Sequence, residues 1–510
     1  MSVVLIAFSL VTGLRIAADD AQHVWVDLLS SLLPQGNVIL WHVWSGFALL
    51  FVLVVYLLSQ AQLMYKTGVW WKTSSRHFIT LTFYLRRLIT LLLVAITLMG
   101  LYLYLGIDSV SEQTMASAHL LLAWIILFVI IAHVASEGFS SGYKVYLSVL
   151  LPGGGSLLSL SKLVGVVSLI ALVFVVVISE EVSQTLTIHR TDKLPELDGI
   201  ATDKVWKNAS RVVVKTVRGK NLSEEASQVQ ISAVHDGENA YFLFVWQDES
   251  KSQQHLPLEK TIEGWRVKHD GFTSQDEVEY YEDKLAVMLS RDGSIAGGHS
   301  THLGPKPLGN LPAALNARGY HYTNDGTIRD VWHWKSVRSG LAMGPVIGMF
   351  GDSYFGPPRP LRQGHVRYTA GYYQDPVESG GYTSNWLWYN DDFITPRRLP
   401  LKPDLLENRD DSYLEWYETR AYRLEDDQYP IGTLLPSVLS IDRIEGDRAD
   451  VLAAATWKDG YWTLEASRAL NTGSTFDLPI ETGVYLWVSV FDHVQTRHSY
   501  HLHPVKIRVK

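Results

Sequence analysis

Residues 115–137 read MASAHLLLAWIILFVIIAHVASE, an apolar run whose middle holds almost nothing polar except two histidines, His119 and His133. On an α-helix a spacing of fourteen makes nearly four turns and rises about 21 Å, so both imidazoles face the same way. A hydrocarbon slab is about 30 Å thick, which puts one imidazole near each edge. Ionisable side chains inside a membrane are costly and usually point into the bundle. The run therefore reads either as a helix that ligates two haems stacked across the bilayer or as a helix whose histidines hydrogen-bond to their neighbours.

The rest of the composition divides the chain. Its 510 residues suffice for more than one domain. Residues 1–180 carry eight Lys/Arg and seven Asp/Glu, against 36 and 45 in residues 181–510. The first part reads as a membrane domain and the second as a soluble, acidic one. That acidity argues against nucleic acid and permits a basic partner such as a small cytochrome. Cysteine is absent, which removes disulfides, iron–sulfur clusters, thiolate nucleophiles and covalently attached c-type haem. Any haem must be held by His, Met, Lys or Tyr.

Five spans are expected. Residues 2–18 read as a first span cut short at its start, since the basic flank of a signal peptide is missing. Residues 37–58, 87–106, 115–136 and 157–178 follow, each about the length a helix needs to cross. The link between spans two and three holds Lys66, Lys72, Arg76, Arg86 and Arg87, while the links before spans two and four carry acids and no Lys or Arg. The positive-inside rule places the basic link in the cytoplasm. Everything after Glu180 then lies outside, so the expected location is the cytoplasmic (inner) membrane with a periplasmic C-terminal domain. In this orientation His42 and His119 share the outer level and could take one iron from opposite sides. His133 lies at the inner level. There His77, in the basic link beside Arg76, is the only other candidate and reads as a solvated loop residue.

With His42 on span two, the His119/His133 pair on span four and Thr12-Gly13-Leu14 ending span one, residues 1–180 resemble the di-haem cytochrome b subunits of membrane formate dehydrogenases and nickel–iron hydrogenases. The resemblance implies one or two b-type haems in the membrane, held by His42, His119 and His133, and exchange of electrons with quinone. It departs at span one, where the family's histidine would fall at or before Met1.

Residues 181–194 read as a linker and 195–510 as an all-β, sandwich-like domain. Strands are expected over 211–217, 229–235, 240–247, 284–290, 461–468 and 485–492, punctuated by Asp-Gly turns at 236, 292, 325 and 459. Residues 345–403, rich in Gly, Pro, Tyr and Trp, read as long loops. Met288 is expected to fill the sandwich core, and His333 to pack within an aromatic element.

Several stretches here resemble the haem-binding gamma subunit of ethylbenzene dehydrogenase. They are Leu197-Asp198-Gly199 with Asp203 and Trp206, Ala233-Val234-His235-Asp236-Gly237, Asp283-Lys284-Leu285-Ala286-Val287, Val331-Trp332-His333-Trp334-Lys335, and Gly460-Tyr461-Trp462-Thr463 with Arg468. The resemblance implies a b-type haem between two axial ligands, one on the loop after the Asp-Lys strand and one after the last core strand. In place of the type member's methionine and lysine, the first region offers His299 and His302 and the second His498. Bis-histidine ligation by His302 and His498 is the expectation, with His299 the near alternative.

Two functions compete. The first is transmembrane electron transfer by a multi-haem b-type cytochrome, linking membrane quinone or quinol to a periplasmic redox protein such as a cytochrome c or an oxidoreductase catalytic subunit. The second is a membrane-anchored β-sandwich that binds a carbohydrate or other ligand through Trp386, Trp388 and Tyr389. Adjacent acids at Asp391 and Asp392, or Asp410 and Asp411, read as solvated turns rather than an acid–base pair, and no hydrolase triad, phosphate loop or zinc motif stands out.

Overall fold

The computed structural model describes residues 2–18, 33–34, 38–67, 77–105, 112–141, 184–272, 276–295, 297, 301–302, 322–323, 327–338, 348–349, 351–355, 381–388, 393–407, 413–442, 449–474 and 477–510. Two compact units divide between Val182 and Ser183. The expected fifth span, residues 157–178, lies outside the described residues.

The first unit is helical: α1 (Ser2–Ala18), α2 (Val38–Thr67), α3 (His77–Leu105) and α4 (Glu112–Ser141). Three of these contain stretches long and apolar enough to cross a membrane, Val38–Gln62, Phe83–Leu105 and Thr114–Glu137, of 25, 23 and 24 residues. In α1 the apolar stretch, Val4–Ala17, is shorter. Helix α3 starts ten residues before the expected Arg87, so His77 is its first residue and not a loop residue. The intervening sequence HFITLTFYLR has neither Gly nor Pro to stop a helix. Leu49 and Leu53 of α2 meet Leu93 of α3 and Ile126 of α4 in the bundle interior. Where α1 meets α2, Ser9 Oγ donates to Ser45 Oγ at 2.8 Å, a polar contact between small residues that lets two helices approach.

The second unit is built on one twelve-stranded sheet. Its strands are β1 (Thr185–Arg190), β2 (Ser210–Val217), β3 (Ala226–His235), β4 (Asn239–Gln247), β5 (Lys284–Ser290), β6 (Arg329–Lys335), β7 (Gly348–Met349), β8 (Gly351–Phe355), β9 (Leu452–Lys458), β10 (Tyr461–Ala469), β11 (Tyr485–Phe491) and β12 (Val505–Val509). They run in the order β7-β9-β10-β4-β3-β1-β12-β11-β5-β6-β8, with β2 paired to β3 beside this path. Strand β1 falls inside the stretch read as a linker, and it lies parallel to both β3 and β12. The six strands expected from alternation occur where the pattern places them. At the β9–β10 hairpin, Asp459 and Gly460 both adopt left-handed φ, 51° and 82°, as a tight primed turn requires.

One core serves both halves of this sheet. Phe242 of β4 meets Trp332 of β6 edge-on at 5.5 Å, and Trp334 of β6 lies 5.0 Å from Trp462 of β10. The sheet therefore folds back so that β3, β4 and β10 face β5, β6 and β11 across buried aromatics. The expected sandwich is thus a single barrel-like sheet closed along one side through β1. Residues 345–403 are not loops alone: they supply β7, β8 and the short strands Gly381–Ser384, Trp386–Trp388, Ile394–Pro396 and Arg398–Pro400. Their aromatics favour strands, and interspersed Gly and Pro mask the period. A second cluster of Leu258, Trp265, Leu399, Leu414, Leu435 and Leu439 packs beneath the smaller sheets.

Two buried polar anchors tie the fold. Arg468 pairs with Asp330, both essentially inaccessible, and its guanidinium lies 4.9 Å over Trp332. Asp330 also accepts the Leu478 backbone N–H at 3.1 Å. Removing one partner of such a pair leaves the other charge buried alone, so Arg468→Ala should lower the unfolding free energy by about 3–5 kcal/mol, read from urea melts followed by tryptophan fluorescence.

Glu465 is the second anchor. It accepts N–H groups of Asp198 and Gly199, each at 3.0 Å, and Trp206 Nε1 at 2.7 Å. A Cβ on Gly199 would sit 2.7 Å from the Ala455 backbone, and its φ is +73°, so only glycine brings this segment onto β9. Burial outweighs the three donors and raises the Glu465 carboxyl from 4.5 to about 7. A raised carboxyl favours the protonated folded state, so this contribution is complete below pH 4.5 and is lost as pH rises through 7. Unfolding midpoints should accordingly fall as pH rises over that window, and Glu465→Gln should flatten the slope.

Candidate functional site

In the helical unit, His42 and His119 come together. Their ring centroids lie 6.2 Å apart with planes at 83°. Two imidazoles on opposite sides of one metal ion have much the same separation, given metal–nitrogen bonds of about 2 Å and about 1 Å from each nitrogen to its ring centre. Edge-to-face ring packing falls in the same range. His42 Nδ1 lies 3.1 Å from both the Ser9 carbonyl and the Thr12 hydroxyl. A ring nitrogen tied to a backbone carbonyl is how ligating histidines are oriented and their tautomer fixed. His119 Nδ1 is buried with no hydrogen-bond partner.

Glycines flank both rings. A Cβ on Gly13 of α1 would stand 3.1 Å from His42 Cε1, and one on Gly100 of α3 would stand 3.4 Å from His119 Cε1. Each neighbouring helix therefore approaches an imidazole where it has no side chain. An orphaned buried nitrogen, an anchored partner ring and a glycine cradle suit a bis-imidazole haem. His133 also has a buried, unpartnered Nδ1, and no described imidazole meets it. His77 belongs to α3, but its side chain lies outside the described residues.

In the β unit the site grows from strand alternation. Strands β6, β5 and β11 lie side by side, with Ala286 paired to His333 on one flank and to Ser489 on the other. Leu285, Val287, Leu289, Trp332 and Trp334 enter the core. The pleat turns Lys284, Ala286, Met288, His333, Ser489 and Phe491 to the opposite face. Met288, expected in the core, instead lines this second face. His333 lies 5.3 Å from Phe491, whose ring is 4.8 Å from His498, so the two imidazoles flank one aromatic ring. His333 Nε2 is buried without a hydrogen-bond partner. His498 Nδ1 lies 2.9 Å from the Ser499 carbonyl, the same anchoring seen at His42.

His498 is reached by solvent although protein packs closely around its ring. Burial lowers its pKa against the opposing Ser499 carbonyl, and burial followed by the charges of Lys335 and Lys284 takes His333 well below the ordinary value. Both rings are thus neutral at neutral pH, as metal ligation requires. By contrast His501 accepts the Val488 N–H and bonds the His503 carbonyl, which commits it to the backbone. Lys284, whose ammonium burial drives far below its usual range, donates to the Gln495 carbonyl at 2.9 Å and lies 4.1 Å over Phe491.

His302 pairs with Tyr322 in a two-residue strand, but its side chain, like all of His299, lies outside the described residues. Their approach to His498 is thus not among the described contacts. His333, expected only to pack, carries a buried, unpartnered nitrogen on this second face; the sequence signal for it is its place between two tryptophans that both point inward. Trp386 is buried in the second core, so it offers no open platform for a ligand, and Trp388 and Tyr389 lie outside the described side chains. Asp391, Asp392, Asp410 and Asp411 lie outside as well.

Known proteins bear on this unit. A family model described as ethylbenzene dehydrogenase matches residues 203–502. Among solved structures, a family 9 carbohydrate-binding module from Caldicellulosiruptor kristjanssonii in complex with glucose is 10% identical with a TM-score of 0.24, over 64% of this chain and 95% of that one. The same module with cellotriose is 10% identical with a TM-score of 0.21, over 64% and 94%. At these TM-scores the likeness carries no conclusion about ligand. Comparison with curated proteins gives no match.

The glycine cradle can be tested directly. Gly13→Leu adds a branched side chain where even a Cβ is tight against His42, so it should abolish any haem held by the His42/His119 pair while helical circular dichroism stays unchanged.

Proposed function

The chain belongs to the ethylbenzene dehydrogenase family, and from that premise we propose that it is a b-type haem protein that carries electrons between a membrane quinone pool and a redox partner outside the cytoplasm. The observation that supports this most is the His42/His119 pair, two imidazoles at bis-ligand separation with one nitrogen anchored and one buried and unpartnered.

The chain's own residues have defined parts. His42 and His119 would hold one haem, with the Ser9 carbonyl fixing the His42 tautomer and Gly13 and Gly100 leaving room. His133 would hold a second haem at the other depth of α4. In the β unit His498, oriented by the Ser499 carbonyl, and His302, with His299 as the alternative, would be the axial pair; Phe491 packs against His498, with His333 on its other side. Haem bound at these places supplies one-electron chemistry, tuned by its ligands, their hydrogen bonds and burial. The protein fixes the orientation of His42 and His498 through the Ser9 and Ser499 carbonyls.

On this reading the basic link faces the cytoplasm, so that the helical unit lies in the cytoplasmic membrane and the β unit outside it. Quinone or quinol is then the membrane partner. A cytochrome c or an oxidoreductase catalytic subunit is the external one. The acidic β unit, with 45 Asp/Glu against 36 Lys/Arg, suits a basic partner.

Purified protein from haem-replete cells should give a b-type pyridine haemochrome. His42→Ala and His119→Ala should each remove the same one haem, so that the double variant loses no more than either alone, whereas combining His498→Ala with either should remove a further one. A colourless preparation would overturn the reading and favour a ligand-binding anchor protein.

A further inference from the structure

A cluster of acids stands where three strands end together. Asp248 directly follows β4, Asp283 directly precedes β5, and Asp492 and His493 directly follow β11. All three carboxylates are buried, Asp248 to 2% exposure, Asp283 to 0% and Asp492 to 4%. One ligand atom each from Asp283, Asp492 and His493 lie within 4.8 Å of one another. Donors on one ion with bonds of about 2.1–2.4 Å are at most about 4–5 Å apart, so this spread fits a single ion.

The hydrogen bonds leave the group short of positive charge. Asp283 accepts the Ser252 N–H at 2.7 Å, Trp462 Nε1 at 3.2 Å and the His493 N–H at 3.0 Å. Asp492 Oδ1 bonds His493 Nδ1 and receives Ser250 Oγ at 3.4 Å. Asp248 Oδ1 accepts the Ser250 N–H at 3.1 Å, while its Oδ2 is buried with no partner. Asp248 stands near enough to repel both Asp283 and Asp492, and so adds negative charge beside the group. The adjacent Lys284 gives its ammonium to Gln495 instead. Three buried carboxylates with one imidazole, and one oxygen wholly unused, is an arrangement that a cation completes.

The backbone at His493 is shaped to this group. Its φ is +39°, left-handed for a residue that is not glycine, and that turn delivers its N–H to Asp283 and its ring to Asp492.

We propose that Asp283, Asp492 and His493 form a divalent-cation site, with the buried Asp248 carboxylate beside them adding negative charge. Carboxylate oxygens with one imidazole suit Mn²⁺ or Zn²⁺. Binding joins the end of β4 to the ends of β5 and β11, and so clasps the two halves of the sheet at one point. Its donors are none of the residues assigned to haem above, and it is tested without reference to them.

The full chain, stripped with EDTA in detergent, is titrated with Mn²⁺ and with Zn²⁺ by calorimetry, and bound metal is counted after gel filtration. Haem is quantified on the same samples, so loss of haem and loss of cation are read apart. One equivalent of Mn²⁺ or Zn²⁺ per chain is expected, with a rise in unfolding midpoint that EDTA reverses. Asp492→Asn should weaken binding at least tenfold. Asp248→Asn is the milder variant, since its Oδ2 makes no hydrogen bond, and should weaken binding likewise while far-ultraviolet circular dichroism stays that of the unaltered chain. If neither ion binds at millimolar concentration, or if Asp248→Asn binds as tightly as the unaltered chain, the site is a proton-sharing carboxylate cluster and the proposal fails.

Discussion

Strand β6 carries the constraint on which the β unit depends. Successive side chains on a strand leave on opposite faces, so Trp332 and Trp334 cannot enter the core without turning His333 the other way. Those tryptophans meet Phe242, Trp246 and Trp462 from the far half of the sheet, and this aromatic contact holds the folded-back sheet together. The same register sets Ala286 beside His333 and Ser489 beside Ala286 on that second face. The core face and the face that carries His333 belong to one strand, and neither can shift by a residue without exchanging roles.

Much of this is legible in the sequence, because period-two alternation names strands without tertiary help. Residues 284–290 and 461–468 are strands almost to the residue. Harder to read is which face is which. Apolarity alone assigns Met288 inward, whereas its register with Val331 and Trp487 sets it on the face opposite Val287 and Leu289. His333 is undervalued for the same reason when residue type is weighed before the direction imposed by its two tryptophan neighbours. In the helical unit, depth alone pairs His42 with His119. The glycines that admit them, Gly13 from α1 and Gly100 from α3, come from separate helices and form no local motif.

Buried acids in the β unit are settled in three ways. Asp330 is neutralised by a guanidinium, Glu465 is surrounded by N–H donors while burial keeps its proton, and the Asp248, Asp283 and Asp492 group has an imidazole beside it but no ammonium or guanidinium among its described hydrogen bonds. The first two join segments far apart in sequence, Leu478 with β6 and Gly199 with β10. Polar burial therefore does here what a sandwich usually asks of its apolar core: it sets which parts of the chain meet.

Strand β1 has a consequence for synthesis. It precedes every other strand of its sheet in the chain, yet it is an interior strand, flanked by β3 and by β12, and Lys510 N donates to the Ile188 carbonyl. A nascent chain thus exposes one edge of β1 until β12 has left the ribosome. Closure of the sheet waits on that strand, and pairings so distant in sequence are slow to form. During that interval the open edge is a template for other strands, which makes the β unit dependent on protection while it is being translated.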